Sequence, residues 1–339
     1  VIFIAFDGTG NHGEQFVPIG ADGLNWPAPR YSRDECIEKI RQAKNEVGSL
    51  IYTTLPSNPR ILYTLSRTSG SKIVKPLYIR GVGTDPNLNI FKPFENLVDK
   101  GTGNGMVSMV NDALKQLGET VSSIAANSDE FHVAIVTTGF SRGAAAARIF
   151  HNKLLEVGIH SPDGTLLVPP EAVNIAGSVL FDTVSTHELI DIGNSNFDIP
   201  PSIPFVLHLV ADHEYRKTFK LHSATGDNVI EVGFPGAHSD IGGTYRTDGI
   251  SAVTLDASIA VLKKLGIEFN ELHRDFTPKA KNYIIHDSRW YPIGKFTEQI
   301  KKPRERLFES PGERQQIPPN QTSLQMGTDA IVFPTTEKN

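Results

Sequence analysis

The sequence predicts an α/β fold, a mostly parallel central sheet flanked by helices, and three observations carry that expectation. Short apolar runs, several rich in β-branched residues, recur along the 339 residues and stop at Gly, Pro, Asn or Asp. Between them lie segments whose apolar residues repeat at helical spacing. There is no internal repeat, and strands that alternate with helices along one chain build a largely parallel sheet.

Val1 to Phe6 reads as the first strand, ending in Asp7-Gly8-Thr9-Gly10-Asn11. Gly13 to Arg30 holds many Gly and Pro and reads as a loop. Ser32 and Glu35 have capping-box spacing, and Ile37, Ile40 and Val47 mark the face of a helix that Gly48 ends. Lys75 to Gly83 is the second strand. After a turn at Gly101 to Gly105, Val107, Val110, Leu114, Leu117 and Val121 share one helical face. Glu130 to Thr138 is the third strand, and Ala144 to Ala147 open a helix that ends near Gly158. Three strands follow, Ile175 to Asp182, Pro204 to Ala211 and Asn228 to Phe234, then a helix from Ser251 to Leu265 with Leu255, Ile259 and Leu262 inward. The chain turns polar and Pro-rich from about Lys301. The organisation expected is one domain over 1–339, with an insertion at about 12–74 and an irregular tail at about 301–339.

Composition removes several function classes. A hydrophobic content of 39% suffices for a sizeable core, and a formal net charge of -5 without a dense basic stretch argues against nucleic acid as a partner. One cysteine, Cys36, excludes a disulfide framework and leaves the compartment open. No apolar run reaches the ~20 residues that span a bilayer, so the expectation is a protein that is soluble or at most peripheral to a membrane. The chain opens inside a strand without a Met, so the missing signal peptide carries no weight.

The chemistry centres on Gly139-Phe140-Ser141-Arg142-Gly143. Gly-x-Ser-x-Gly alone is a weak pattern. Here it stands between a β-branched strand and a small-residue helix, the placement a nucleophile elbow needs. Such a turn holds the serine in a strained conformation, and the flanking glycines leave room where strand and helix converge. The amide of Arg142, in the first helical turn, is free to donate to an oxyanion. The loop after the first strand offers the amides of Gly8 and Thr9 as a second donor.

A serine nucleophile needs a base, and the base an orienting acid. In this fold they follow in the order Ser, acid, His, at the C-terminal ends of later strands. Asp182 and Asp212 both fit as the acid, with Glu214 close by. His238 fits as the base, in a Gly- and Pro-bearing loop after the last strand, Gly233-Phe234-Pro235-Gly236-Ala237-His238-Ser239-Asp240-Ile241-Gly242-Gly243. His213, read at a helix start, and His222, upstream of that strand, fit less well. Asp240 either orients His238 or caps the turn. The Arg142 side chain is read as a structural ion-pairing group, with a lipid phosphate as the alternative partner.

Five segments together resemble a known family: Phe6-Asp7-Gly8-Thr9-Gly10-Asn11, Arg80-Gly81-Val82-Gly83-Thr84, Gly139-Phe140-Ser141-Arg142-Gly143-Ala144, Phe181-Asp182-Thr183-Val184 and Phe234 to Gly243. They are similar to the α/β-hydrolase family containing the first-class lipase effectors of type VI secretion. The resemblance runs from residue 6 to about residue 265. It implies an α/β-hydrolase fold and a phospholipase A-type esterase, with Ser141, Asp182 and His238 as triad and no metal or organic cofactor. It also implies an antibacterial toxin made in the bacterial cytoplasm and delivered to the periplasm of a target cell. The implied partners are a phospholipid membrane surface, a secretion spike protein and an immunity protein. The stretch from Gly13 to Ser71 does not align, and the tail after about Lys301 is shorter than the membrane-anchoring part many relatives carry.

Other readings have specific weaknesses. Ile4-Ala5-Phe6-Asp7-Gly8-Thr9 resembles the motif of aspartate-nucleophile phosphatases, but Ala5 stands where their nucleophile belongs. A catalytically silent binding module on the same fold would not need a full Ser, Asp and His set. Esterase action on soluble esters differs only in substrate. Phe16 and Trp26 in the Gly13–Pro29 loop suit either a membrane interface or a lid.

Overall fold

The computed structural model describes residues 1–9, 17–18, 30–31, 56–66, 75–82, 103–128, 131–185, 196–216, 219–244, 250–270, 308–310 and 315–316. The helix expected over 32–48, the loop residues Phe16 and Trp26, and Gly10, Asn11, Gly83 and Thr84 lie outside the described residues.

The central sheet has seven strands. They are β1 (Ile2–Phe6), β2 (Lys75–Ile79), β3 (Ala134–Phe140), β4 (Asn174–Phe181), β5 (Val206–Ala211), β6 (Val229–Phe234) and the short β7 (Gln315–Gln316). Their order is β2-β1-β3-β4-β5-β6-β7, and every neighbouring pair is parallel. β1 shows why the sequence takes this form. All five of its residues are buried, and strand alternation sends Ile2, Ile4 and Phe6 to one core and Phe3 to the other. A strand covered on both faces has no solvent side, so it reads as an unbroken apolar run.

Five helices are described, α1 (Asn58–Leu65), α2 (Gly103–Ala125), α3 (Arg142–Val157), α4 (His238–Gly242) and α5 (Ile250–Lys264). On one face, α2 and α3 pack Met106, Val110, Leu117, Val121, Phe150 and Leu154 against Ile2, Ile4 and Phe6. On the other, α1 and α5 pack Ile61, Leu62, Leu65, Leu255 and Leu262 against Phe3, Val179 and Phe181. Ala144 to Ala147 are fully buried, and their small side chains let α3 lie close to the sheet, where Phe150 meets Phe6 at 5.5 Å. Ser57 caps α1, its Oγ accepting from the Arg60 amide at 3.3 Å.

Several element ends differ from the sequence-based expectation for stated reasons. β2 stops at Ile79 because β1 stops at its register partner, Phe6. β3 starts later than expected but runs on to Phe140, because Gly139 and Phe140 still pair with Leu180 and Phe181 of β4. Val107 is exposed; the inward stripe of α2 runs through Met106, Met109, Val110, Ala113 and Leu117 instead. The His238 segment, expected as a loop, forms the short helix α4. Beyond residue 301, β7 joins the sheet edge, and Phe308–Ser310 pairs with Leu221–His222.

One topological fact positions the site. The chain steps from β1 outward to β2, then returns to the other side of β1 to form β3. The connections therefore leave β1 and β3 in opposite directions, and a crevice opens above their C-terminal ends, where open parallel sheets bind ligands.

Candidate active site

Ser141 stands directly after β3 at that switch point. It has φ 59 and ψ -124, a conformation costly for a residue with a side chain. Sheet and helix hold it there. Its N–H donates to Phe181 O at 3.0 Å, and its carbonyl accepts from Ala145 N at 3.2 Å and Val184 N at 3.4 Å. Both glycines of the motif are required by space. A Cβ on Gly139 would stand 2.7 Å from Gly143 O, and one on Gly143 would stand 2.5 Å from Phe6 O. The second contact also brings the β1 loop against the serine turn.

Asp182 follows β4, the neighbour of β3, and has φ 45. Its N–H donates to Leu209 O at 2.7 Å and its Oδ1 accepts from Ala211 N at 2.8 Å. Its Oδ2 lies 2.5 Å from His238 Nδ1, with both side chains buried. Asp212, the other acid the sequence offered, stands after β5 against Gly233.

His238 opens α4. Its ring lies between Phe140 at 4.5 Å and Phe219 at 5.0 Å. A Cβ on Gly242 would collide with the Phe140 ring, so this glycine lets α4 settle over it. Asp240 caps the helix, its Oδ2 accepting from Ala237 N at 2.9 Å, so it serves the turn. His213 lies in the loop after β5, not at a helix start; its Nδ1 accepts from Gly236 N at 2.9 Å and pins the His238 loop. His222 sits in a short strand, with Ser185 Oγ 2.8 Å from its Nδ1. Burial drives the pKa of His238 below the ordinary histidine value. Asp182 opposes that shift, Arg216 adds to it, and Glu214 opposes it. No hydrogen bond joins Ser141 to His238, and Nε2 of His238 makes none with any described residue. Unliganded active sites often leave this bond unmade until substrate arrives.

The candidate oxyanion donors separate into two groups. Gly8 N–H is turned onto Asp7 Oδ1 at 2.7 Å. The amides of Thr9 and Arg142 hydrogen-bond to no described residue, and Thr9 Oγ1 accepts from Arg142 Nη1 at 2.6 Å. The Arg142 side chain makes no ion pair with a described residue, which overturns the expected structural pairing.

Sequence reasoning missed two buried polar groups behind the site. Asp7 is fully buried and accepts from Ser57 Oγ and Tyr78 Oη, each at 2.5 Å, as well as from Gly8. Burial raises its pKa against the pull of those hydrogen bonds and of Arg60, whose guanidinium lies 4.5 Å over the Tyr78 ring. The second group pairs His208 Nδ1 with Glu231 Oε2 at 2.8 Å, while His208 Nε2 accepts from Thr183 N at 3.1 Å and meets Thr183 Oγ1 at 2.9 Å. Burial opposes the Glu231 charge, but hydrogen bonds from His208, Ala224 and Ser223 outweigh it and lower the pKa. Two contacts tie α1 across the site. Ser57 bridges Gly243, and Asn58 Nδ2 donates to Ile241 O and Ser251 O at 3.0 Å each.

Among the described residues, no cluster of His, Cys, Asp and Glu is arranged to hold a metal ion, and no helix is long and apolar enough to cross a membrane.

No protein-family model matches the chain, and no curated protein matches it. Solved structures similar to it include the following two. One is the Tle1 effector bound to the VgrG spike from the type 6 secretion system, 25% identical, covering 73% of this chain and 51% of that chain with a TM-score of 0.47. The other is an uncharacterized protein from Pseudomonas aeruginosa, 20% identical, covering 82% of this chain and 49% of that chain with a TM-score of 0.51. The chain thus spans about half the length of each. The likeness to the Pseudomonas protein is one of fold.

Proposed function

We propose that the chain is a serine hydrolase of the α/β-hydrolase fold that cleaves carboxylic esters of membrane glycerophospholipids, a phospholipase A-type activity. The observation that carries this reading is the 2.5 Å contact of Asp182 with His238 Nδ1, where Asp182 follows Phe181, whose carbonyl accepts from Ser141 N. Ser141 Oγ attacks the ester carbonyl while His238 Nε2 takes its proton. Asp182 holds the ring with Nδ1 protonated and stabilises the imidazolium that forms. The amides of Arg142 and Thr9 face the developing oxyanion, each worth about 3–4 kcal/mol in the transition state. The Gly8 amide, already bound to Asp7, shapes the loop. His238 then protonates the leaving alkoxide, and water, activated by the same histidine, releases the fatty acid from the acyl-enzyme.

Phospholipid as substrate, one catalytic domain over 1–339, and the role of an antibacterial type VI effector delivered to a target periplasm rest on the motif resemblance. The same resemblance supports a membrane surface, a spike protein and an immunity protein as partners.

The test is fluorophosphonate labelling together with fatty-acid release from phosphatidylcholine vesicles, with a short-chain p-nitrophenyl ester alongside, for wild type and Ser141→Ala. Labelling and release by the wild type alone is the expected result. Ester cleavage without lipid release keeps the hydrolase and removes the phospholipase. Equal activity in both proteins overturns the assignment of Ser141. Silence on every substrate favours a binding module.

A further inference from the structure

Helix α3 carries two arginines with opposite surroundings. Arg148 is a structural cation: its Nε, Nη1 and Nη2 donate to the carbonyls of Phe197, His222 and Ser223. Arg142, the residue after Ser141, makes one side-chain hydrogen bond, to Thr9. Its Nε is buried and donates to no described residue. A guanidinium has five N–H groups and stays charged at neutral pH, so a sheltered one with a single neutral acceptor is costly and is expected to meet an anion.

A second arginine is fixed nearby. Arg216 forks onto Glu214, with Nε to Oε1 at 2.8 Å and Nη2 to Oε2 at 2.7 Å. Its guanidinium lies 3.5 Å over the Phe219 ring, which is edge-on to His238. Glu214 Oε2 also accepts from His238 N at 3.3 Å. Arg142 follows the serine, and Arg216, held by Glu214, stands on the His238 side of the same site. Burial, then the charge of Arg216, lower the Arg142 pKa to about 10. The positive end of α3 adds to the field, since Ser141 caps it with no side-chain hydrogen bond.

We propose that Arg142 is the anchor of a phosphate-binding subsite beside Ser141, with Arg216, fixed by Glu214, contributing positive charge on the His238 side. The rigid guanidinium of Arg142 suits phosphate oxygens, and Thr9 adds a hydroxyl. Resting on the esterase reading above, the group it takes in a substrate is the phosphodiester of a glycerophospholipid. That group lies a glycerol unit from the acyl carbonyl, and holding it orients the ester toward Ser141.

Calorimetric titration of the full chain with inorganic phosphate, sn-glycero-3-phosphocholine and hexanoate tests the subsite without catalysis. Glycerophosphocholine is expected to bind, with affinity at least tenfold lower in Arg142→Gln and lower to a smaller degree in Arg216→Lys, which keeps the charge and loses the fork onto Glu214 that fixes it. Binding of inorganic phosphate alone, abolished by Arg142→Gln, retains the subsite and assigns it to free phosphate. Undiminished binding in Arg142→Gln, hexanoate binding as tightly as phosphate, or no binding at millimolar concentrations overturns it. Thermal melts separate this from a folding defect: unliganded Arg142→Gln is expected to melt no lower than wild type, whereas Arg148→Gln melts lower. In the kinetic arm, the ratio of phosphatidylcholine to diacylglycerol hydrolysis falls at least tenfold in Arg142→Gln. Because the titration needs no turnover, its failure is distinguishable from failure of the esterase reading, which labelling of Ser141 decides.

Discussion

Two histidine–carboxylate pairs, one across the neighbouring strands β5 and β6 and one joining the end of β4 to α4, differ in what the second ring nitrogen meets. His208 is closed: Nδ1 faces Glu231, and Nε2 is taken by Thr183. Glu231 is closed too, accepting from Ser223 Oγ at 2.9 Å and Ala224 N at 2.8 Å. His238 is open: Nδ1 faces Asp182, and Nε2 bonds to no described residue. A closed pair spends every polar atom on the fold and is a structural element. An open pair leaves one nitrogen for the proton transfer that the proposed function assigns to it. Thr183, which follows Asp182, joins the two, so the closed pair helps hold the acid of the open one.

Substitutions sharpen this contrast. Ser141→Ala is expected to remove fluorophosphonate labelling and to lower kcat by roughly 10⁵- to 10⁶-fold, measured on the p-nitrophenyl ester. Asp182→Asn keeps the shape but favours the wrong tautomer of His238, and the expected loss in kcat is about 10⁴-fold. A loss under tenfold would move the acid role elsewhere, with Asp212 next in line. His208→Ala breaks the closed pair and leaves the Glu231 charge buried, so urea unfolding is expected to show a loss of about 3–5 kcal/mol. His238→Ala, in the same measurement, is expected to cost far less stability while removing activity. Matching stability losses would erase the distinction between the pairs.

The smallest effect is in pH. A general base must be neutral, and burial lowers the His238 pKa, so the base stays competent further into acid than an ordinary histidine. The acid limb of kcat/KM is expected to have its midpoint below about 6.5. A midpoint above that value would mean that Asp182 dominates over burial.

The parts legible in sequence were those with a local signature. Runs such as Val206 to Ala211 show a buried parallel strand in their own residues, and Gly139 and Gly143 mark a tight approach two residues either side of Ser141. Residue order placed His238, but order alone left Asp182 and Asp212 level. What separates them is which strand end faces α4, a property of the assembled sheet. The Asp7 cluster and the His208–Glu231 pair were not legible, because their partners lie 50, 71 and 23 residues away and no spacing rule joins them. Arg142 was misread for the same reason: an ion pair is a statement about distant residues.

The staple at the start of α1 has a consequence for how the site comes into being. Ser57 holds Asp7 beneath the serine loop, while Asn58 holds Ile241 and Ser251 across separations of 183 and 193 residues. Contacts that span so much chain close late, after local helices and neighbouring strands have formed. During synthesis the serine turn emerges about a hundred residues before His238, so on the proposed reading a nascent chain carries the nucleophile without its base. On the proposed reading, a chain truncated before residue 238 is expected to show no esterase activity, since it lacks His238.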